Sequence, residues 1–301
     1  EPEPPPPPPS PSLPETIDAA LRRGGRYLAD RQRPDGAIPS GAYAALKDGW
    51  SLTPLAALAL RMVPPDPAVG AAYRRAVDYL AGIVAPGGAV REAPEVSYPL
   101  YAYAIGALVL GAPDNRRHRA VHDKLLEALR GLQLVERCQN TGTDGGFFFS
   151  PALPDGNKAG ATPDGHYRSY GSMSADGLRA LLRLGVPLAD PRVAAAAAYF
   201  ARHFDATRNP GDFPPVDEVR RDSSYYYWAW SAAHVTRHLS DVPHATALAE
   251  ELLRRQRADG SWKNPSSEMR EDDPIVATSF AVAALALTRS VIAAEPRSHA
   301  Y

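Results

Sequence analysis

Two adjacent carboxylates, Asp272 and Asp273, are the residues whose type and spacing most directly suggest chemistry. Neighbouring acids can share one proton, or can hold a magnesium ion that carries a diphosphate. Asp273 also precedes Pro274, and an Asp-Pro pair is typical of a helix N-cap followed by the first turn. Capping is therefore the favoured interpretation. Asp272 and Asp273 are retained as candidate catalytic acids together with Asp176, whose Ser-Ala-Asp-Gly setting favours solvation or local hydrogen bonding.

Histidine and cysteine do not form the pattern of a metal site. Cys138 is the single cysteine, so an intrachain disulfide and a multi-cysteine zinc site are excluded. His234 lies in an apolar segment, as hydrogen-bonded core histidines do, whereas His166 follows a Gly in a loop and could face a cavity mouth. No HExxH, phosphate-binding or dinucleotide-binding motif occurs, so the sequence predicts neither a metal nor a cofactor.

Aromatic residues are concentrated in the segment 225–230 and at comparable positions in other apolar segments. They predict an aromatic-walled pocket for a polyisoprenoid, a sugar chain or a peptide, and core packing is the alternative. The long connection 144–170 is typical of a lid or binding loop. The predicted ligand-binding residues are Tyr98, Tyr101, Tyr170, Tyr226, Tyr227, Trp230 and His166.

Five apolar segments rich in Ala and Leu would have to position these side chains. They span residues 51–60, 98–110, 172–184, 225–239 and 275–288. A helix that is apolar nearly all round is one surrounded by protein. Before each comes a stretch with apolar residues at three- and four-residue spacing and charges between them, which predicts an amphipathic helix.

The sequence therefore predicts an all-α domain over residues 15–295, built as an α/α toroid of about five outer/inner helix hairpins. An open solenoid of the same hairpins is the alternative. Residues 1–14 are predicted to be a disordered Pro-rich linker, since residues 4–9 are consecutive prolines. Such a spacer favours an exported protein, with a cytosolic linker as the alternative.

Composition excludes several classes of partner. The formal net charge is −1, which gives no electrostatic basis for binding nucleic acid. No run of about 18 apolar residues was found, so a transmembrane segment is not expected. A small apolar or aromatic-compatible ligand is the partner that the sequence favours.

Related loops follow the first, third and last outer helices. Asp-Gly after a helix marks its end, because Gly adopts the left-handed conformation that terminates it. A preceding Gln can bond free carbonyls, and a following aromatic ring can pack over it. The structural repeat residues are Gln32, Asp35 and Gly36 in the first loop and Gln256, Asp259, Gly260 and Trp262 in the last, with a wider-spaced version from Gln139 to Phe147.

Residues 256–262 resemble the QxxDGxW repeat of triterpene cyclases and protein prenyltransferase β subunits. Residues 168–173 are similar to a segment of bacterial squalene-cyclase-like proteins, and residues 272–281 resemble an acidic loop that leads into an inner helix. The resemblance spans roughly residues 15 to 290. It implies an α/α barrel whose inner-helix ends surround an apolar, aromatic-lined cavity. The repeat is structural in that family and implies no activity.

Comparison with this family also indicates that the sequence lacks the catalytic acid motif of squalene cyclases. Squalene cyclases protonate an alkene with an Asp-rich DxDD segment at the start of an inner helix, and here Gly-Ser-Met-Ser at residues 171–174 occupies the expected position. The sequence therefore predicts a repeat protein that binds an isoprenoid-like or other apolar ligand without the usual cyclase acids. The alternatives are an isoprenoid cyclase or transferase with an atypical acid, a carbohydrate-active lyase or glycosidase on an α/α toroid, and a protein-interaction module.

Overall fold

The computed structural model describes residues 10–85, 89–90, 99–131, 138–140, 144–150, 156–183 and 185–294. The described residues are mainly helical, and their only extended pairings are isolated antiparallel bridges. The predicted all-α toroid is confirmed. In chain order the α-helices are α1 (Leu13–Ala29), α2 (Thr53–Arg61), α3 (Pro67–Ala81), α4 (Pro99–Leu110), α5 (Arg119–Gly131), α6 (Gly171–Arg183), α7 (Pro191–His203), α8 (Glu218–Ser223), α9 (Tyr225–Leu239), α10 (Val242–Arg255) and α11 (Pro274–Ala294).

The helices form two concentric layers. Helices α2, α4, α6, α9 and α11 are the inner layer, and each follows one of the outer helices α1, α3, α5, α7 and α10, with the short α8 inserted before α9. The predicted order of five outer/inner hairpins is thus confirmed. Helix α1 packs against α11 as well as α2, and this contact between the first and last hairpins closes the ring.

The predicted helix starts have the expected caps. Asp66 Oδ1 accepts the N–H groups of Ala68 and Val69 at 3.0 and 3.2 Å, and Asp190 Oδ1 accepts that of Arg192 at 2.9 Å. Each of these Asp residues precedes a Pro in the first turn, as the sequence indicated. Helix α1 begins at Leu13, ahead of the predicted boundary at residue 15, because Ser12 and Glu15 form a capping box.

Helix α11 is long and apolar enough to cross a membrane by length and composition, although the sequence analysis expected no such segment. In the fold, 72% of its most apolar stretch is buried, because α1, α2, α9 and α10 all pack against it. A helix surrounded by protein on every side needs no polar face. Its composition therefore agrees with its place in the inner layer.

One hydrogen-bond pattern recurs where three outer helices end. The Gln32 amide donates to the carbonyls of Gly36 and of Ala72 in α3, both at 2.9 Å. The Gln139 amide donates to Gly145 and to Arg192 in α7 at 3.0 and 2.8 Å. Each Gln thus joins its own loop to the next outer helix.

The third copy of this pattern lies at the ring closure. The Gln256 amide donates to the carbonyls of Gly260 and of Ala20 in α1, both at 3.0 Å. Gly260 has a φ of +84°, and a Cβ there would lie 2.8 Å from the carbonyl oxygen of Arg23 in α1. The left-handed conformation and the close approach both require glycine at this position.

Trp262 stabilises the contact between the first and last hairpins from the protein interior. Its side chain is fully buried, and its indole N–H donates to the carbonyl of Leu252 in α10 at 2.7 Å. Its backbone N–H donates to the hydroxyl of Thr278 in α11 at 3.0 Å. The indole ring also lies against Gly24 of α1, where an added Cβ would be only 2.8 Å from it. Trp262 therefore contacts the last outer helix, the last inner helix and the first helix of the chain.

Candidate functional site

A cavity of about 210 Å³ opens where inner helices α2, α9 and α11 begin. Its wall is mostly aliphatic and aromatic, because the inner helices present apolar side chains on this side. The apolar lining residues include Leu46, Leu52, Leu55, Ile105, Val276 and Phe280. The more polar lining residues include Tyr101, Lys158, Ser224, Tyr227, Arg270 and Glu271. The arrangement is typical of a small-molecule site, with an apolar body and a few polar groups.

Tyr227 is the centre of the aromatic part of this wall. Its ring meets those of Tyr101 and Phe280 edge-on, with ring centroids 6.4 and 5.5 Å away. Trp230 lies behind it, 6.1 Å from Tyr227 and 5.5 Å from Phe280. Tyr101 keeps 42% of its surface exposed because its ring borders the open cavity. These rings come from α4, α9 and α11, which the toroid brings together.

The Tyr227 hydroxyl faces away from water and donates a hydrogen bond to Asp176 on α6. Burial and the Asp176 carboxylate both raise the pKa of Tyr227 well above its usual value. Asp176 also pairs with Arg179, with the two charged groups 2.8 Å apart, and the Arg179 guanidinium lies 4.9 Å from the centre of the Trp230 ring. The Asp176 carboxylate therefore contacts both the Arg179 guanidinium and the Tyr227 hydroxyl. These two contacts hold the aromatic wall in position.

Glu271 is a cavity-lining carboxyl that the sequence analysis did not single out. Its two oxygens accept the backbone N–H groups of Tyr226 and Tyr227 at 2.9 and 2.8 Å, and Asn264 donates to it at 3.2 Å. Ser224, which precedes α9, forms no side-chain cap, so Glu271 caps α9 from the loop before α11. Burial raises the pKa of Glu271 to about 7, since desolvation outweighs the three N–H donors.

Lys158 reaches the cavity from the long connection between α5 and α6. Its neighbour Asn157 is buried and holds the connection together, accepting from the N–H of Phe149 at 2.6 Å and donating to the carbonyl of Ser150 at 2.7 Å. The Lys158 ammonium lies 6.0 Å from the centre of the Tyr170 ring. Burial lowers the pKa of Lys158, although the carboxylates of Glu271 and Asp176 oppose this effect.

The other predicted aromatic residues lie behind the cavity wall. Tyr170 is fully buried and packs edge-on against Phe213, because Tyr170 sits just before α6 and its ring turns into a separate small cluster. Tyr226 is 2% exposed and points toward Lys263, because it is one step round the helix from Tyr227. Trp230 is 5% exposed and supports Tyr227 and Phe280 without lining the cavity.

One further predicted residue, His166, does not join the site. His166 is exposed in its loop, 3.7 Å from Asp164, because the tight turn between Thr162 and His166 points outward. Tyr98 lies outside the described residues.

The structure places the predicted acids in structural roles. Asp273 is buried, accepts the N–H of Ile275 at 2.8 Å as the cap of α11, and also accepts the hydroxyl of Ser40. Asp272 accepts the hydroxyl of Tyr43, and this hydrogen bond raises the pKa of the phenol to about 12. The two carboxylates therefore do not share a proton with each other.

The start of α6 leaves no room for acids. Ser172 donates its N–H to Asn209 at 2.9 Å, and the Ser174 hydroxyl accepts the N–H of Phe147 at 2.9 Å. Gly171 lies directly against the ring of Pro210, closer than a Cβ would allow. Larger carboxylate side chains at these positions would displace the adjoining loop.

No group of three potential metal-ligating side chains occurs within the part of the chain that the structure describes. His234 packs edge-on against Trp230 at 5.3 Å, and burial lowers the pKa of its imidazole to about 2. It is therefore a neutral, half-buried residue beside the Trp230 ring. Cys138 is half-buried and does not line the cavity.

Neither a protein-family model nor a curated protein matches this chain. Solved structures do share its fold. The type II terpene cyclase MstE from Scytonema without ligand superposes with a TM-score of 0.55 at 14% identity, covering 93% of this chain and 100% of that one. A variant of the same cyclase in complex with its substrate, geranylgeranyl dihydroxybenzoate, gives a TM-score of 0.54 at 15% identity, covering 93% and 99%.

A glycosidase variant in complex with glucose is similar to nearly the same degree, with a TM-score of 0.52 at 13% identity, covering 93% of this chain and 98% of that one. These similarities confirm a terpenoid-cyclase-like α/α toroid. Because a cyclase and a glycosidase share the architecture, the fold does not choose between their activities. That choice has to come from the side chains of the cavity.

Proposed function

We propose that this protein binds an apolar, isoprenoid-like ligand in the cavity where the inner helices begin. The observation that carries the proposal is the wall itself, in which aliphatic side chains from α2, α4 and α11 face the rings of Tyr101, Tyr227 and Phe280. Burying a methyl-branched chain against such a surface contributes about 0.8 kcal/mol of favourable free energy per CH₂ group. The structure of a variant of the cyclase MstE in complex with geranylgeranyl dihydroxybenzoate supports an apolar ligand for this architecture.

The size of the cavity favours a short ligand or one part of a longer one. Its volume is about 210 Å³, and an apolar cavity of about 150 Å³ already accommodates benzene. One or two isoprene units fit this space. A polar end of the ligand would meet Lys158, Arg270 and Glu271, which lie on the same wall.

The acid chemistry of a type II cyclase is not part of this proposal. Protonating an alkene requires a strong, neutral carboxylic acid. Asp176, Asp272 and Asp273 are engaged by Arg179, Tyr43 and Ser40. Glu271 is free to hold a proton, but its pKa of about 7 makes it a weaker acid than an ordinary carboxyl. Ligand binding without alkene protonation is therefore the function that the site supports best.

The test is a titration of the purified protein with farnesol, followed by intrinsic tryptophan fluorescence, to which Trp230 behind the cavity wall contributes. We expect saturable binding with one site per chain. Glucose and short glucans serve as the competing class of ligand. Saturation by a glucan and none by farnesol would replace the proposal with the carbohydrate alternative.

We expect Tyr101→Ala to weaken farnesol binding roughly 2- to 12-fold, because aromatic contacts contribute about 0.5–1.5 kcal/mol. Leu108→Ala is the matched control. Leu108 lies on the same helix, is 47% exposed and does not line the cavity. Equal loss of affinity in both variants would show that the ligand does not occupy the cavity.

We expect no cyclised product when the protein is incubated with squalene, oxidosqualene or geranylgeranyl diphosphate and the extract is analysed by mass spectrometry. The reason is the absence of a strongly acidic neutral carboxyl among the described cavity residues. Turnover that Asp176→Asn or Asp273→Asn abolishes would contradict this and would identify a catalytic acid.

A further inference from the structure

We propose that Lys158 is a reactive amine that forms an imine with an apolar aldehyde or ketone held in the cavity. The proposal rests on the proposed function, since it narrows the same ligand class to a carbonyl compound. Lys158 lines the cavity beside Tyr101, Tyr227 and Glu271, so its amine lies among the groups that a bound ligand would touch.

The surroundings of Lys158 favour a neutral, nucleophilic amine. Within the described part of the chain, its ammonium makes no hydrogen bond and no ion pair, and it lies over the face of the Tyr170 ring. Burial disfavours the charged form and lowers its pKa. A desolvated lysine in an apolar pocket is the usual nucleophile for a carbonyl group.

The charged groups around Lys158 have opposing effects on its pKa. Glu271 before α11 and Asp176 on α6 favour the ammonium, while Arg220 on α8 disfavours it. Arg270 lies on the same cavity wall. The phenols of Tyr101, Tyr170 and Tyr227 are neutral near pH 7, since burial raises their pKa further above the ordinary value of 10. Burial has the largest effect, so the pKa of the Lys158 amine is lowered.

The reaction balances without an added oxidant or cofactor. The neutral amine adds to the carbonyl carbon, the carbonyl oxygen gains a proton, and a carbinolamine forms. The hydroxyl then leaves as water after protonation, the nitrogen loses its proton, and a C=N bond remains. Glu271 is a buried carboxyl on the same wall that can supply the proton, since its pKa of about 7 populates both protonation states near neutral pH.

The composition of the chain makes the proposal easy to test. It contains four lysines, and Lys47, Lys124 and Lys263 are all exposed, whereas Lys158 is half-buried. The purified protein would be incubated near pH 7 with citronellal and sodium cyanoborohydride, which reduces imines to stable amines. Peptide mapping by mass spectrometry would then locate the added mass, equal to the aldehyde less one oxygen atom.

We expect most of the modification at Lys158 and expect excess citronellol, the corresponding alcohol, to suppress it. Glyoxylate, a polar aldehyde, should label the three exposed lysines instead. Lys158→Met keeps a side chain of similar length but has no amine, so it should lose the cavity label while citronellol still binds saturably to the apolar wall. If citronellol binds saturably while citronellal labels the lysines in order of exposure, the imine proposal fails and the proposed function stands. If citronellol does not bind, both fail.

Discussion

Replacing Trp262 with alanine is expected to lower the free energy of unfolding by about 3–5 kcal/mol, the usual cost of removing a fully buried Trp. The indole is completely buried and contacts α10, α11 and α1 at the closure of the ring. Its loss would leave a cavity and an unpaired carbonyl on Leu252. Chemical denaturation of the purified variant would measure the change.

Two matched variants separate this effect from a general loss of aromatic surface. Trp262→Phe keeps most of the ring but loses the N–H donor, so a smaller cost is expected, about 1–3 kcal/mol. Trp50→Ala removes a Trp that is only half-buried and stacks on Tyr79 with ring centroids 4.2 Å apart, and it should also cost less. If Trp262→Ala unfolds like the parent but no longer binds farnesol, Trp262 is a site residue and the structural account of it is wrong.

The stability of the protein is expected to contain a contribution from Glu271 that falls as the pH rises. The pKa of this carboxyl is raised from 4.5 to about 7 in the folded protein. Between these values the unfolded chain releases the proton while the folded protein keeps it, so folding is favoured most below pH 4.5. The contribution is lost as the pH rises to about 7, and it amounts to about 3 kcal/mol.

The measurement compares unfolding free energies of the parent and Glu271→Gln across this pH range. The amide does not titrate, so the parent should lose about 3 kcal/mol more than the variant as the pH rises from about 4.5 to about 7. Glu268→Gln makes the same chemical change on an exposed residue of the cavity rim and should leave the parent's pH dependence unchanged. Parallel curves for the parent and Glu271→Gln would contradict the buried, partly protonated carboxyl.

The five hairpins could be predicted because their determinants are local in sequence. Apolar periodicity separates outer from inner helices, and Asp66, Asp190 and Asp273 each mark a helix start by preceding Pro. Gln32 and Gln256 were also recognisable, since each begins a Gln-x-x-Asp-Gly sequence within three residues of a helix end, and Gln139 begins a wider-spaced version. Such signals need no knowledge of which helices meet in space.

The cavity residues could be predicted only in part, because they depend on helix rotation and on distant partners. Tyr226 and Tyr227 are adjacent, yet only Tyr227 faces the cavity, and the sequence does not fix the rotation of α9 to that accuracy. Glu271 is held by backbone N–H groups 44 and 45 residues earlier in the chain. Its position beside Asp272 was the available signal, but the prediction took Asp272 and Asp273 as a helix cap or candidate acids and did not include Glu271.

Lys158 was missed for a different reason. Its connection was predicted to be a lid or binding loop, but which of its side chains enters the cavity depends on the hydrogen bonds of Asn157 to Phe149 and Ser150. Those contacts form only within the folded connection. Loop composition predicts that a segment is irregular, and it does not predict where each side chain of that segment lies.

Photoaffinity labelling with a diazirine-bearing farnesol analogue tests the central claim most directly, because it reports where an isoprenoid binds. We expect cross-links in peptides that contain Tyr101 and Ile105 on α4, and in the peptide from Met269 to Phe280 leading into α11, since these residues line the cavity. Excess farnesol should suppress them. Cross-links confined to the outer helices, or unaffected by farnesol, would contradict an isoprenoid site in the cavity.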